Sequence, residues 1–410
     1  MTDLSSPRTA LPAVVLGADS PIALSIIRSL GMHGVAVHAL GGSKHAIGLA
    51  SRHVKSALIR AESETELILQ LQKLQAEIGE ACLFTISEND ITLLNRHRDE
   101  LNGYRLLFPD NLRMMQVLNK ECTYRLARTV DIEVPVTICL DRLEQLPILC
   151  AGLNFPVVLK WADPATIAKR LEALGLPLEK SRYCFSLEEL AAYLRQFEAV
   201  GSYPMVQEYC PGHGLGQFFL FSRGEVVAQF QHKRLHEWPP EGGVSSLCQS
   251  LAADRHADLM HKSIALLKAM QWEGVAMVEY RFNPANGRAL LMEINGRYWG
   301  SLPLACHAGV EFPWLAYQAL GLGHTISVSA YRPNMLCRFM IPEAKRLLQI
   351  LFRPSAIADP MFRVKPWETL LKFFGGFFDW RMRYYVFRRD DPAPFFCDLW
   401  NGLSKFIPRK

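Results

Sequence analysis

Several features are missing from this 410-residue chain, and each absence narrows the field. Ten cysteines are present, yet no CxxC pair occurs and no Cys/His cluster has zinc-ligand spacing. Scattered thiols in a chain this long are expected to be small apolar core residues of a reducing compartment. The opening MTDLSSPRTALPAVVLGADS has neither the basic start nor the long apolar centre of a secretory signal. No uninterrupted apolar run is long enough to span a membrane. A cytoplasmic location is the expectation. The chain also lacks GxGxxG, internal repeats and low-complexity tracts. Its formal net charge of +5 is modest, so nucleic acid is not an expected partner.

What is present is a folding composition: half the residues are hydrophobic and 21% are charged. The length suits two or three domains with cores of their own. AVVLGADSPIALSIIRSLGMHGVAVHAL reads as strand, glycine turn, helix, strand, with Pro21 in the helix's first turn. This predicts a parallel sheet, to which ACLFTISEND adds a later strand. Beyond YRLLFPD, LNKECTYRLARTVDIEVPVT predicts a helix and then extended chain. FPVVLKWAD predicts a strand ending at Lys160, and PMVQEYCPG another strand before a Pro-Gly break. SLEELAAYLRQF has a serine cap at Ser186 and Glu189 three residues on. Antiparallel strands are expected about Arg223-Gly224, then an amphipathic helix in HADLMHKSIALLKAMQW.

GVAMVEYRFNPANGRALLMEINGRYWGS predicts a hairpin about Asn286-Gly287. In its first strand Met277, Glu279 and Arg281 share a face, and in its second Leu291, Glu293 and Asn295 do. The apolar faces coincide if the connection is odd in length, for instance Pro284 to Arg288, which sets Glu279 across from Glu293. Two facing carboxylates repel unless a cation sits between them. Two Glu and one Asn oxygen suit Mg²⁺ held with waters and phosphates, and Arg297 offers a fork to a phosphate or carboxylate. The plainer alternative is a solvent-facing strand with a Glu–Arg ladder.

This hairpin resembles the last core hairpin of ATP-grasp enzymes, the superfamily of biotin carboxylase, carbamoyl phosphate synthase and D-alanine–D-alanine ligase, with a Glu on one strand and Glu-x-Asn-x-Arg on the next. Three further stretches resemble the family in its order: LNKECTYRLARTVDIEVPVT its first lysine helix, FPVVLKWAD its second lysine strand, MVQEYCPG its adenine-binding hinge. The resemblance runs from about Leu112 to Leu320. It implies that Lys120 and Lys160 contact nucleotide phosphates and that Glu208 lies at the adenine, with backbone groups of Tyr209 and Cys210 on its edge. It implies Glu279, Glu293 and Asn295 as holders of Mg²⁺ (or Mn²⁺), and Arg297 as a ligand of the γ-phosphate or acceptor carboxylate. ATP is the implied nucleotide.

The chain departs from the family in two places. PGHGLGQ has His213 and Gln217 where an acid commonly holds the ribose, and WADPATIAKRLEALGLPLEKSRY is helix-prone where a glycine-rich flap is common. In HKRLHEWPPEGGVSSLCQS, Arg234, Gly242-Gly243 and Ser245-Ser246 suggest a substrate or phosphate loop, with an ordinary surface loop as the alternative.

From Tyr331 to Lys410 there are 15 Lys and Arg against 7 Asp and Glu, and 17 of the chain's 42 aromatic residues. A helical extension packed on the catalytic part is the favoured expectation, and peripheral contact with the inner face of a membrane the second. The expected architecture is therefore α/β and α+β: a Rossmann-like parallel-sheet domain over 1–111, a two-part ATP-grasp domain over 112–330 (112–200 and 201–330), and the basic aromatic extension over 331–410. The function implied by the resemblance is an ATP-dependent carboxylate–amine ligase acting through an acyl phosphate on small molecules, in the manner of members found among cell-surface polysaccharide genes. A small-molecule kinase and a nucleotide-binding assembly protein are the alternatives. Biotin-dependent carboxylation is not expected, because no Met-Lys-Met motif occurs.

Overall fold

Two strands in the first hundred residues, AVVL and ACLF, are short apolar runs with every residue buried. Such runs suit a parallel sheet covered on both faces. In the computed structural model, which describes residues 10–162, 164–179, 181–240, 243–326, 328, 330–357 and 363–404, they form one. Its elements are β1 (Ala13–Leu16), α1 (Pro21–Met32), β2 (Val37–Gly41), β3 (Val54–Ile59), α2 (Glu64–Ile78), β4 (Ala81–Phe84), α3 (Glu88–Arg96) and β5 (Tyr104–Leu106). The sheet order is β3-β2-β1-β4-β5, all parallel. Ser20 caps α1 by accepting from the Ile22 amide at 3.2 Å, directly before Pro21.

Two helices follow, α4 (Asn111–Leu118) and α5 (Lys120–Thr129), and then a small antiparallel sheet. Its strands are β6 (Thr137–Ile138), β7 (Val157–Lys160), β8 (Arg182–Cys184) and β9 (Met205–Glu208), in the order β6-β9-β7-β8. Between them run α6 (Leu146–Leu149), α7 (Pro164–Ala173) and α8 (Leu187–Arg195). Leu190 and Leu194 of α8 pack on Val157, Leu159 and Val206. Ser186 accepts from the Glu189 amide at 3.2 Å while Glu189 accepts from the Phe185 amide at 2.9 Å, a near relative of the capping box. The stretch after Lys160 folds as helix α7 rather than as a glycine-rich loop.

The third sheet is the largest. It comprises β10 (His213–Ser222), β11 (Glu225–Trp238), β12 (Val244–Ser250), β13 (Gly274–Phe282) and β14 (Ala289–Asn295), with α9 (Ala257–Ala269) before the final hairpin. Arg223 and Gly224 both take positive φ, as a two-residue turn between twisted strands requires. Helices α10 (Leu302–Ala308) and α11 (Phe312–Ala316) lead to β15 (Leu336–Arg338), α12 (Met340–Phe352), α13 (Pro366–Gly375), β16 (Met382–Tyr384) and α14 (Ala393–Ser404). The sheet order is β14-β13-β10-β11-β12-β15-β16, so the C-terminal extension is not only helical: two of its strands complete the sheet. The β13–β14 connection is also one residue longer than expected. It runs from Asn283 through Arg288, because Gly287, at φ +74°, turns its amide back onto the Asn283 carbonyl at 2.9 Å and the Asn283 amide donates to Arg288 at 2.8 Å.

The chain divides into two compact units. One joins Met1–Leu126, Gly214–Glu279 and Glu293–Lys410; the other joins Ala127–His213 and Tyr280–Met292. The core of the first draws on both of its sheets. Trp299 stacks on Phe218 at 4.1 Å, Phe339 on Tyr385 at 5.2 Å, and Ala13, Leu30, Cys337 and Val386 belong to the same cluster.

Candidate active site

In the first unit, charged side chains from separated segments meet along one face of the large sheet. Arg234 extends from β11 across β10 to Glu279 on β13, where its Nη2 lies 2.5 Å from Oε2. Gly214 makes this possible: a Cβ there would stand 2.8 Å from the Arg234 Cδ. Burial works against the Arg234 charge, but Glu279, Glu237 and Glu293 more than offset it and push its pKa up. Glu279 and Glu293 therefore act on the same guanidinium.

Glu293 is open to solvent, and its Oε1 accepts from Asn295 Nδ2 at 3.1 Å. Desolvation favours the protonated acid here, yet the Asn295 hydrogen bond and the charges of Lys120, Arg234 and Arg297 hold its pKa below the usual range. Asn295 is buried, and its Oδ1 accepts from Arg297 Nη2 at 2.8 Å. Arg297 also reaches Glu88, at the start of α3, at 3.2 Å. Lys120, Arg234, Glu279, Glu293, Asn295 and Arg297 thus form one electrostatic group.

The donor set can be tested against a divalent cation. Among the described residues no three His, Cys, Asp or Glu side chains gather into a metal-binding group. Two carboxylates and one amide oxygen, completed by waters or phosphates, suit Mg²⁺ rather than zinc. Glu293 is kept ionised, and the Asn295 oxygen has a second lone pair beyond the one Arg297 uses. The residues fit the ion.

The second unit holds the remaining expected positions. Lys160 ends β7, half-buried, with Nζ 3.3 Å from Gln207 Oε1. Glu208 ends β9, and its carboxylate accepts from the Val136 amide at 3.1 Å and from Arg288 at 3.0 Å. Both oxygens of that carboxylate are therefore engaged by the chain itself. Tyr209 packs edge-on to Tyr183, and His213 edge-on to Phe282. The Cys210 thiol is buried and pushed up to about 12, so it stays neutral. Gly212, at φ +112°, passes so close to Phe282 that a Cβ would lie 2.0 Å from its carbonyl oxygen. Arg281 ties the hinge by donating to the Gly212 carbonyl at 2.8 Å and to the Cys210 carbonyl at 3.4 Å.

Gln217 is not placed for a ribose. It is fully buried, accepting from Ser263 at 2.7 Å and donating to Gln231 at 3.4 Å. Of the expected loop, Gly242 lies outside the described residues, and the Ser246 hydroxyl donates to Glu343 at 2.6 Å. The other oxygen of Glu343 meets His236 Nδ1 at 2.6 Å. Glu88, His236 and Glu343 escaped sequence reasoning, which places Arg281 only on the polar face of the hairpin. Glu88 had a faint signal, since it follows Ser87 just beyond a parallel strand's C-terminal end, where α/β sheets place ligand groups.

Part of this chain matches an ATP-grasp family. Residues 204–338 match the family described as ATP-grasp in the biosynthetic pathway with Ter operon. Solved structures share the fold. N5-carboxyaminoimidazole synthetase from Staphylococcus aureus superposes with a TM-score of 0.62 at 12% identity, covering 86% of this chain and 88% of that one. The biotin carboxylase domain of the 2-oxoglutarate carboxylase of Hydrogenobacter thermophilus, solved with MgADP, ADP and bicarbonate, gives 0.61 at 13% identity, covering 80% and 74%. An L-amino acid ligase from Bacillus licheniformis gives 0.54 at 16%, covering 77% and 75%. No curated protein sequence matches the chain.

Proposed function

We propose that the protein is an ATP-dependent ligase that joins a small-molecule carboxylate to an amine, using ATP and Mg²⁺ (or Mn²⁺). The observation that carries this is the group on the large sheet: two carboxylates around one guanidinium, with Lys120, Asn295 and Arg297 beside them. Glu279, Glu293 and Asn295 would hold Mg²⁺, which would neutralise charge on the triphosphate. Lys120, Lys160 and Arg297 supply the further cations that a polyphosphate needs. Backbone groups of residues 208–210 would meet the adenine, with His213 at the start of the next strand.

In the first step a substrate carboxylate oxygen bonds to the γ-phosphorus and the bond to ADP breaks, giving an acyl phosphate. Arg297 would orient the carboxylate, and Arg234 would stabilise charge on the transferred group. In the second step the amine nitrogen bonds to the acyl carbon, phosphate leaves, and the amine gives up a proton. The functional division behind this runs 1–111, 112–330 and 331–410. Both the matched family's description and the likeness to an amino acid ligase favour a biosynthetic ligation, and cell-surface polysaccharide assembly is the narrower form of this proposal.

A screen of acid–amine pairs with purified protein tests it. The expected result is ADP and phosphate release that needs both partners, with hydroxylamine trapping the acyl phosphate as a hydroxamate. ADP release with one partner and a stable phosphorylated product would make it a kinase. ATP binding with no turnover for any pair would favour an assembly role.

A further inference from the structure

Away from the carboxylate face, the first unit has a cavity of about 800 Å³ between α1, α10 and the C-terminal extension. Its acids are engaged by the chain's own groups. Asp379 is bound by Arg381 at 2.8 Å, Asp390 by Arg388 at 2.8 Å, and Glu311 accepts from Ser29 at 2.8 Å. Arg28 is taken up by Asp391 at 2.8 Å. Against the one Glu311 carboxylate, which has only a neutral hydroxyl and His33 beside it, three guanidinium groups on the wall stand without a carboxylate, a surplus of two positive charges. Arg332 donates to the His307 carbonyl and Arg383 to the Trp380 and Met382 carbonyls, but among the described residues neither they nor Arg389 pairs with a carboxylate. Carbonyl acceptors leave the Arg332 and Arg383 charges uncompensated, so the cavity suits a phosphate.

The rim decides where that phosphate comes from. Trp380 and Phe377 line the cavity and are 83% and 48% exposed. Upstream, Trp367, Leu371 and Phe374 recur at helical spacing on α13 and face solvent, followed by Phe378 at 90% exposed. The other side of α13 carries the buried Thr369. An apolar stripe pointed at water, flanked by Lys372 and by Lys365, which pairs with Glu368 at 2.9 Å, and ending at surplus arginines, is the pattern of a helix lying in a membrane interface. Among the described residues no helix is long and apolar enough to cross a membrane. We propose that this arginine cavity and the 367–380 stripe seat the protein on an anionic bilayer, the cavity taking a lipid phosphate and the aromatics entering the headgroup region. The inference does not depend on the ligase chemistry.

The test uses the full-length protein and flotation with vesicles. Phosphatidylglycerol-containing vesicles should carry it and pure phosphatidylcholine should not. Arg383→Gln with Arg389→Gln should weaken attachment about thirty-fold, at roughly 1 kcal/mol per cation near the surface. Arg389→Gln alone, which gives up no hydrogen bond among the described residues, should show about a fifth of the parent affinity on the same scale. Trp380→Ala with Phe378→Ala should remove the attachment that survives high salt, with the circular dichroism melt unchanged. The proposal is overturned by a parent that does not float with anionic vesicles. It is overturned equally by arginine variants that float as well as the parent, by inorganic phosphate binding as tightly as vesicles do, or by a dimer that Trp367→Ala dissociates.

Discussion

Two clusters of charge in the first unit are built in opposite ways. Around Asp391, 1% exposed, every charge is closed off: one oxygen accepts from Arg28 at 2.8 Å and Ser51 at 2.7 Å, the other from the Arg52 amide at 2.9 Å. Around Glu279 and Glu293 the same chemistry is left open on one side, with Glu293 exposed and one largely buried guanidinium serving two carboxylates. The closed cluster ties the C-terminal extension to α1. The open one can exchange partners, because an incoming cation and phosphate would meet carboxylates and guanidinium groups already charged and already aimed. A buried ion is expensive to leave unpaired, whereas a solvent-reached one is cheap to re-pair. The first cluster should therefore answer to mutation in stability and the second in activity.

The largest effect expected is loss of the folded protein on removing residues 331–410. Their strands β15 and β16 continue the large sheet, and Cys337, Tyr385 and Val386 are buried in its core. The truncated chain should aggregate on expression, and a soluble, cooperatively melting remainder would show the extension to be dispensable.

Next is Asp391→Ala, which strands Arg28 in the interior. Breaking one side of such a pair costs about 3–5 kcal/mol, read as a lowered melting temperature or urea midpoint. Burial alone would raise the Asp391 pKa, but the Arg52 amide, Arg28 and Ser51 outweigh it and hold it below the usual range. A depressed carboxylate pKa contributes stability that is present above about pH 4 and is lost as pH falls through the folded-state value. The parent should lose stability on acidification below that point, and the variant should show a flatter profile.

On the open face, Glu293→Ala should change the melting temperature little and lower ligase activity by on the order of a hundredfold, with weakened Mg²⁺ dependence. A variant that unfolds while keeping its specific activity would reverse the comparison. Lys160→Ala is milder. Its ammonium bonds the neutral Gln207 at 3.3 Å, so ATP affinity measured by calorimetry with Mg²⁺ should fall roughly tenfold, as loss of one charged hydrogen bond predicts. Equal affinity in variant and parent would remove Lys160 from the nucleotide site.

How much of this was legible in the sequence follows from range. The βαβ start, the Ser186 cap, the Arg223-Gly224 turn and the alternation of Glu293, Asn295 and Arg297 are local patterns, written within a dozen residues. The Glu88–Arg297 pair joins residues more than two hundred apart, and Glu343 meets His236 and Ser246 only because α12 packs on β11 and β12. Periodicity carries no such information. The tail divided along the same line. Its basic, aromatic composition was plain, but composition could not say that Tyr385 turns inward while Trp380, five residues earlier, turns out.

The smallest effect is the sharpest test of how the open face is held. Arg234 reaches Glu279 by crossing β10, and Gly214 lies one step beyond the Leu215–Lys233 pair in that ladder. The Gly214 backbone is not in the left-handed region, so alanine there brings no backbone strain. Its methyl would stand 2.8 Å from the Arg234 Cδ and 3.2 Å from Cγ, closer than carbon atoms tolerate. The flexible arginine should give way, lengthening its contact with Glu279 while the fold persists. Gly214→Ala should then lower activity several-fold with little change in melting temperature, and the loss should travel entirely through Arg234. In a double-mutant cycle, Gly214→Ala in an Arg234→Ala background should cost almost nothing more, because the displaced side chain is already gone. If the two losses simply multiply, Gly214 acts through something other than Arg234, and the guanidinium's path over β10 is not what sets the two carboxylates.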